Sequence, residues 1–201
     1  SRGSTCHLVG HDLTDDPQSL LERLQRHCEF QPTFPTLFVL ECVQMYMPKE
    51  SVLHMWKHFC HNCSSACVVL FDPILGSDRF GAVMEQNLTR AGMANRESCL
   101  VQVRSLEQQL GLLVGCGFHR AVGCDMWAAY RTILTDEQRR RANQAEFLDE
   151  VEEWKMIMEH YCFVVARNTH DAWALEFCNS GPDSLLGLED TMSQLSKDIS
   201  S

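Results

Sequence analysis

The sequence predicts an α/β protein, a mostly parallel sheet with helices on both faces. Three observations point there. Short, continuously apolar runs alternate with longer stretches whose apolar residues recur at helical spacing. Residues 36–42 (TLFVLEC) and 66–71 (ACVVLF) are apolar without alternation, the pattern of strands covered on both faces. Residues 105–108 (SLEQ) and 135–138 (TDEQ) match capping boxes, which mark helix starts between such runs.

In chain order, residues 6–12 (CHLVGHD) read as a short first strand ending in polar residues. Asp16 and Pro17 then open a helix, because Asp caps the free amides and Pro fits the first turn; Leu20, Leu21 and Leu24 form its buried stripe. Pro35 stops the loop before the strand at 36–42. Pro48 opens the next helix, with Val52, Met55, Trp56 and Phe59 on one side, and the strand at 66–71 follows. Phe80, Val83, Met84 and Leu88 recur at helical spacing, and the box at Ser105 leads into Leu110 and Leu113. A weaker strand at 118–124 is interrupted by Gly123. Phe147, Val151, Trp154 and Met158 mark another helix, before a late strand at 161–166 (YCFVVA) and an edge strand at 173–177. The Ser-, Asp- and Gly-rich end predicts a flexible tail over residues 179–201, with residues 1–178 forming one domain portion. No internal repeat is present.

The 201 residues are 45% hydrophobic and 22% charged, enough for one core. Lys and Arg number 17 against 27 Asp and Glu, so the net charge is 17 − 27 = −10. The densest basic cluster is Arg139-Arg140-Arg141, and acidic residues follow, which argues against nucleic acid as a partner. No apolar stretch approaches the roughly 20 residues of a membrane span. The 11 cysteines are irregularly spaced and many lie in apolar runs, as do Cys42, Cys67 and Cys162; they read as reduced thiols of a cytoplasmic protein. The opening Ser1-Arg2-Gly3-Ser4 has no initiator Met and predicts a truncated or processed start.

In open α/β sheets ligands bind beyond the carboxyl ends of the strands. Asp12-Leu13 and Glu41 stand at such ends. A carboxylate that interrupts an apolar run is costly to bury unpaired, so Glu41 faces either a cavity, cation or donor, or simply solvent. Asp72-Pro73 and Asp78-Arg79 read equally as pocket lining or as a turn and a helix start. His54, His58, Cys60, His61, Cys63 and Cys67 crowd one region, but without a second paired-cysteine motif they read as a helix end with buried thiols and no metal. Asp149, Glu150, Glu152 and Glu153 read first as a solvated helix face. Nothing resembles a G-x-S-x-G nucleophile elbow.

Glu41-Cys42-Val43, then Tyr46-Met47-Pro48, standing after Pro35-Thr36-Leu37, resemble the "PTL…ECV…YM" segment of the leucine carboxyl methyltransferase family. Further resemblances follow in order: Asp78-Arg79-Phe80-Gly81 with Met84, Asp125-Met126 with Tyr130, Phe147-Leu148-Asp149-Glu150, Glu152-Glu153-Trp154, and His160-Tyr161-Cys162. They cover roughly residues 6–168. The resemblance implies the C-terminal half of a Rossmann-like methyltransferase sheet that uses S-adenosyl-L-methionine. It implies that Asp12, Leu13 and Glu41 contact that cofactor. It also implies that Tyr46 lies near the methyl-accepting carboxylate, where a phenol can donate a hydrogen bond; a half-buried aromatic is the plainer reading. The implied substrate is the C-terminal leucine of the protein phosphatase 2A catalytic subunit.

The family's Gly-rich cofactor loop has no counterpart here. Residues 113–117 (LVGCG) end a helix and precede a strand, so Gly115 and Gly117 read as stop and turn residues. The loop, the ribose-holding acid and a substrate arginine are expected upstream of Ser1, and the chain alone is expected to bind the cofactor weakly or not at all. Two alternatives remain. One is the related carboxyl methyltransferase of a wybutosine-type tRNA base. The other is a non-catalytic, truncated interaction module.

Overall fold

The computed structural model describes residues 5–145 and 148–169. Four strands build its sheet: β1 (Thr36–Glu41), β2 (Ala66–Pro73), β3 (Arg120–Asp125) and β4 (Tyr161–Arg167), in the order β1-β2-β4-β3. Around them lie α1 (Pro17–Cys28), α2 (Lys49–Asn62), α3 (Arg79–Arg90), α4 (Cys99–Gln102), α5 (Leu106–Gly115), α6 (Met126–Thr132), α7 (Asp136–Ala145) and α8 (Val151–Glu159). The architecture is the expected α/β sheet flanked by helices, consistent with a methyltransferase-like fold.

Strand alternation sorts the core into two layers. Phe38 and Leu40 of β1, Val68 and Leu70 of β2, and Cys162, Val164 and Ala166 of β4 face α1, α2 and α5. The stripe Val52, Met55, Trp56 and Phe59 of α2 is wholly buried there. On the other face Val122, Cys124 and Val165 meet Ala129 of α6. Tyr130 of α6 packs edge-on against Trp154 of α8, with ring centroids 4.9 Å apart. Both predicted caps form, but only the box at Thr135 closes reciprocally. Ser105 accepts from the Gln108 amide, whose side chain accepts from Arg104 instead of Ser105; Thr135 and Gln138 bond reciprocally.

Three expectations are corrected. The sheet is mixed: β1 and β2 pair in parallel, whereas β4 runs antiparallel to both β2 and β3. The cause is the helical connection of α6, α7 and α8 between β3 and β4. α6 leaves the end where β3 finishes and α8 returns the chain to it, so β4 starts at that end and runs back. Residues 6–12 form no strand; their backbone finds no ladder among the described residues, and Leu8 is fully exposed. β1 is covered fully on one face and only in part on the other, where Leu37 packs against the second layer but Val39 is 65% exposed. Phe147, the strand expected at 173–177 and the tail from 179 lie outside the described residues. No helix among the described residues is long and apolar enough to cross a membrane.

Gly123 has a packing reason. A Cβ there would meet the Phe163 carbonyl oxygen at 2.7 Å and the Leu106 side chain at 3.1 Å, so its absence lets α5 lie close on β3. Gly115 ends α5 and Gly117 takes φ +104°, the stop and turn expected of them.

Candidate functional site

The carboxyl ends of β1, β2 and β3 share one rim with the start of β4. At that rim β1 ends on Glu41, and Cys42 takes a left-handed conformation with φ 51°. A non-glycine residue there is strained. The strain redirects the chain while the Cys42 amide still bonds to the Phe71 carbonyl at 2.8 Å, so the sheet ladder runs one residue past the strand. A single 3-10 turn, Gln44–Tyr46, follows at once.

That turn is tied down from beneath. Gln44 is fully buried; its amide nitrogen donates to Gln109 of α5 at 3.0 Å and its oxygen accepts from the Trp56 indole of α2 at 2.9 Å. Two helices thus fix one polar side chain, and with it the direction in which Met45 goes inward and Tyr46 outward. Tyr46 is 42% exposed.

Asp72, one residue from the end of β2, points to the same side as Val68 and Leu70 and is fully buried. Neither carboxyl oxygen has a partner at hydrogen-bond distance. Burial pushes its pKa up to about 7, eased only by the nearby Gln44 amide. Burial likewise pushes up the thiols of Cys42 and Cys99, the latter to about 12, with the Asp72 charge adding to both. The Tyr161 phenol is raised by burial, then by Cys42, Tyr46 and Asp72, so these four groups lie within electrostatic reach. Its ring stacks on Phe71 at 5.3 Å.

The Cys42 turn places Glu41 and Tyr46 at one strand end. Glu41 is exposed on the same face as Val39, and its side chain makes no hydrogen bond among the described residues. Asp12 stands in the irregular segment before α1. Its Oδ1 accepts from the Thr14 amide at 2.9 Å and hydroxyl at 2.8 Å, which holds its pKa down. Leu13 packs against the α1–α2 side of the core. Among the described residues no hydrogen bond joins Asp12 to Glu41 or Tyr46. The residues behind the rim, buried Gln44 and Gln109 and half-buried Tyr161, were not singled out as site residues from sequence. Asp72 carries the signal that drew attention to Glu41, a carboxylate closing an apolar run.

Asp78 proves to be a helix start: it caps α3 by accepting from the Gly81 amide at 2.9 Å. His160, between α8 and β4, holds it from the other side through Nε2 at 3.0 Å, while Nδ1 faces the Met156 carbonyl at 2.7 Å. The Phe80 ring lies 4.5 Å from the imidazole. The Gly81 amide first, and then His160, hold the Asp78 carboxyl below its usual range. A depressed folded-state pKa stabilises above the ordinary aspartate range and loses that contribution as pH falls through the folded value. Asp78→Ala is therefore expected to cost about 1–2 kcal/mol near neutrality, and less in acid. Urea unfolding at both pH values measures it; a cost that grows in acid would contradict the assignment.

Two other features stand apart. An apolar cavity of about 240 Å³ is lined by Met126, Ala129, Tyr130, Ile133, Met158 and Phe163. It lies against β3 and β4, two to three strand spacings, or about 10–14 Å, from β1. Cys60 and Cys63 lie at the end of α2, where burial pushes the Cys63 thiol up to about 11. Among the described residues no three His, Cys, Asp or Glu side chains form a metal-holding group.

Comparison with known proteins bears on the rim directly. The model of the family described as leucine carboxyl methyltransferase matches residues 2–59, the segment from Asp12 through Tyr46 and into α2. Leucine carboxyl methyltransferase 1 of Bos taurus is 32% identical over 157 residues, covering 77% of this chain and 45% of that protein. Its counterpart in Eremothecium gossypii is 30% identical over 166 residues, covering 81% and 49%. The Arabidopsis thaliana homolog is 31% identical over 164 residues, covering 80% and 47%. The chain spans about half the length of the curated relatives it matches.

Proposed function

The chain belongs to the leucine carboxyl methyltransferase family, and we propose that its rim is part of a methyl-transfer site acting on a protein's C-terminal leucine carboxylate. One observation carries the reading. The strained turn at Cys42 follows Glu41, a carboxylate with no hydrogen-bond partner among the described residues, and leads at the same strand end to an exposed phenol, Tyr46.

The cofactor we infer is S-adenosyl-L-methionine, which when bound supplies a methyl group on a sulfonium. The residues present fit part of such a ligand. Glu41 offers free acceptors for ribose hydroxyls or an amino group. Both Thr14 bonds to Asp12 fall on Oδ1, leaving Oδ2 for a ligand. Leu13 supplies apolar surface. The accepting α-carboxylate, with a pKa of about 3.5, is ionised near neutrality and needs no general base. Tyr46 donates a hydrogen bond to one of its oxygens and so fixes the direction of the other. Orienting the carboxylate and excluding water are then the protein's main contributions to rate. The substrate we propose is the C-terminus of the protein phosphatase 2A catalytic subunit, met in the cytoplasm.

The test joins binding and transfer. Residues 1–201 alone are expected to bind S-adenosyl-L-methionine weakly in calorimetric titration, since Glu41, Asp12 and Leu13 reach only part of it. Fused to an upstream strand, Gly-rich turn and helix, the chain should bind it and methylate a peptide ending in a free leucine carboxylate, but not its amide. In that fusion Glu41→Ala should weaken binding about tenfold or more, the worth of a hydrogen bond to a charged group. Transfer to the amidated peptide, or undiminished binding by Glu41→Ala, would refute the assignment.

A further inference from the structure

The rim turn that carries Tyr46 rests on a buried polar cluster in which one member is unexplained. Gln44 is satisfied on both sides by Trp56 and Gln109. Asp72 sits beside it with zero exposure and two unpartnered oxygens. The groups that face it are the Cys42 thiol at the end of β1, the Gln44 amide of the turn, the Cys99 thiol of α4, and the Tyr161 phenol and Cys162 thiol of β4. None is a cation. Lys49 of α2 bears on Cys99 rather than on Asp72 itself. Burying an ion in such company is costly, and a carboxyl so placed stays neutral or draws in water.

We propose that Asp72 is a positioning residue for Tyr46: as the uncharged acid it lets the Gln44–Tyr46 turn seat on the sheet, and on ionisation the turn lifts to admit water. This inference rests on the reading of Tyr46 as the group that orients the substrate carboxylate. The proton leaves Asp72 for solvent and no other bond changes. The direction of the pH effect follows. The folded-state pKa of about 7 lies above the 3.8 of an exposed aspartate, so the stabilisation is complete below the lower value and lost as pH rises to the upper one. Below that range the turn is closed; above it the charge must be hydrated and the turn pays for it in protection.

The test uses the 201-residue chain. Amide hydrogen exchange, corrected for its intrinsic pH dependence, is followed at residues 42–47 between about pH 5.5 and 8.5. Protection there is expected to fall about tenfold or more, while amides of β4 change little. Asp72→Asn, which keeps the shape without the titration, should hold protection at both pH values. An unchanged wild type, or an equal fall in Asp72→Asn, would overturn the proposal. Should that variant not fold, a carboxyl carbon-13 titration of the wild-type chain decides: a midpoint near 7 supports the idea, and an ordinary midpoint for Asp72 defeats it. In the methylating fusion, Asp72→Asn should flatten the alkaline fall in kcat/KM. If the exchange result stands while no methyl transfer occurs, the methyl-transfer reading fails and the coupling of Asp72 to the turn survives.

Discussion

Gly81→Ala is expected to lower the unfolding free energy by about 3 kcal/mol or more, enough to displace α3 or unfold the chain. A Cβ built at Gly81 falls 1.5 Å from the Leu75 carbonyl oxygen and 2.6 Å from its carbon. Both atoms are backbone, so no side chain can swing away to relieve the contact. Leu75 is itself fully buried, which removes the alternative of moving its segment into solvent. The Gly81 amide is also the one that Asp78 caps, so any shift that opens the contact breaks the cap and loosens Asp78 from His160. Against this stands only the helix propensity of alanine over glycine, about 1 kcal/mol. Gly111→Ala is the matched control. It lies within α5, nothing approaches the position of its Cβ within 4 Å, and the same substitution there should raise stability by about 0.5–1 kcal/mol. Urea midpoints for the two variants, of opposite sign, measure the difference. Loss at both sites would mean that glycine is needed for something other than close approach.

Much of this fold was legible because its helices announce themselves twice. The stripe Val52, Met55, Trp56 and Phe59 gives the buried face of α2, and Asp16-Pro17, Ser105 and Thr135 give helix starts. The buried strand β2 was legible from length and composition. The direction of β4 was not, because apolar periodicity is the same read either way and orientation depends on which end of the sheet α8 delivers. The false strand at residues 6–12 has the complementary cause: an apolar run becomes a strand only when a ladder partner accepts its amides.

The rim was legible at its outer edge and dark behind it. A carboxylate closing an apolar run drew attention to Glu41, and the same signal stands at Asp72 with a different outcome, one exposed and one wholly buried. Sequence does not say which, because burial is set by the turn that folds over β2 and not by β2. That turn depends on Cys42 at φ 51°, a conformation that a glycine would have advertised and a cysteine does not. Gln44 and Gln109, separated by 65 positions, look like solvated glutamines until the fold brings them together. Polar residues buried in pairs leave no periodic trace.

Trp56→Ala should be the second large loss, about 4–6 kcal/mol, and it tests whether the core and the rim are one structure. The indole is 1% exposed and meets Phe38 and Phe118 edge-on, with centroids 5.8 and 5.9 Å away. Truncating such a side chain ordinarily costs about 3–5 kcal/mol through lost contacts and the cavity left behind. The indole N–H is also the donor to Gln44, and removing it leaves a buried oxygen unsatisfied, a further cost of about 1–3 kcal/mol. Trp56→Phe separates the two. It keeps a ring against Phe38 and Phe118 but deletes the donor, so about 2 kcal/mol is expected, with the loss of hydrogen-exchange protection concentrated at residues 42–47. Equal costs for the two variants would place the whole effect in the hydrogen bond and none in packing. A phenylalanine variant as stable as the wild type would show that Gln44 does not need the indole, and that the turn bearing Tyr46 is held by Gln109 alone.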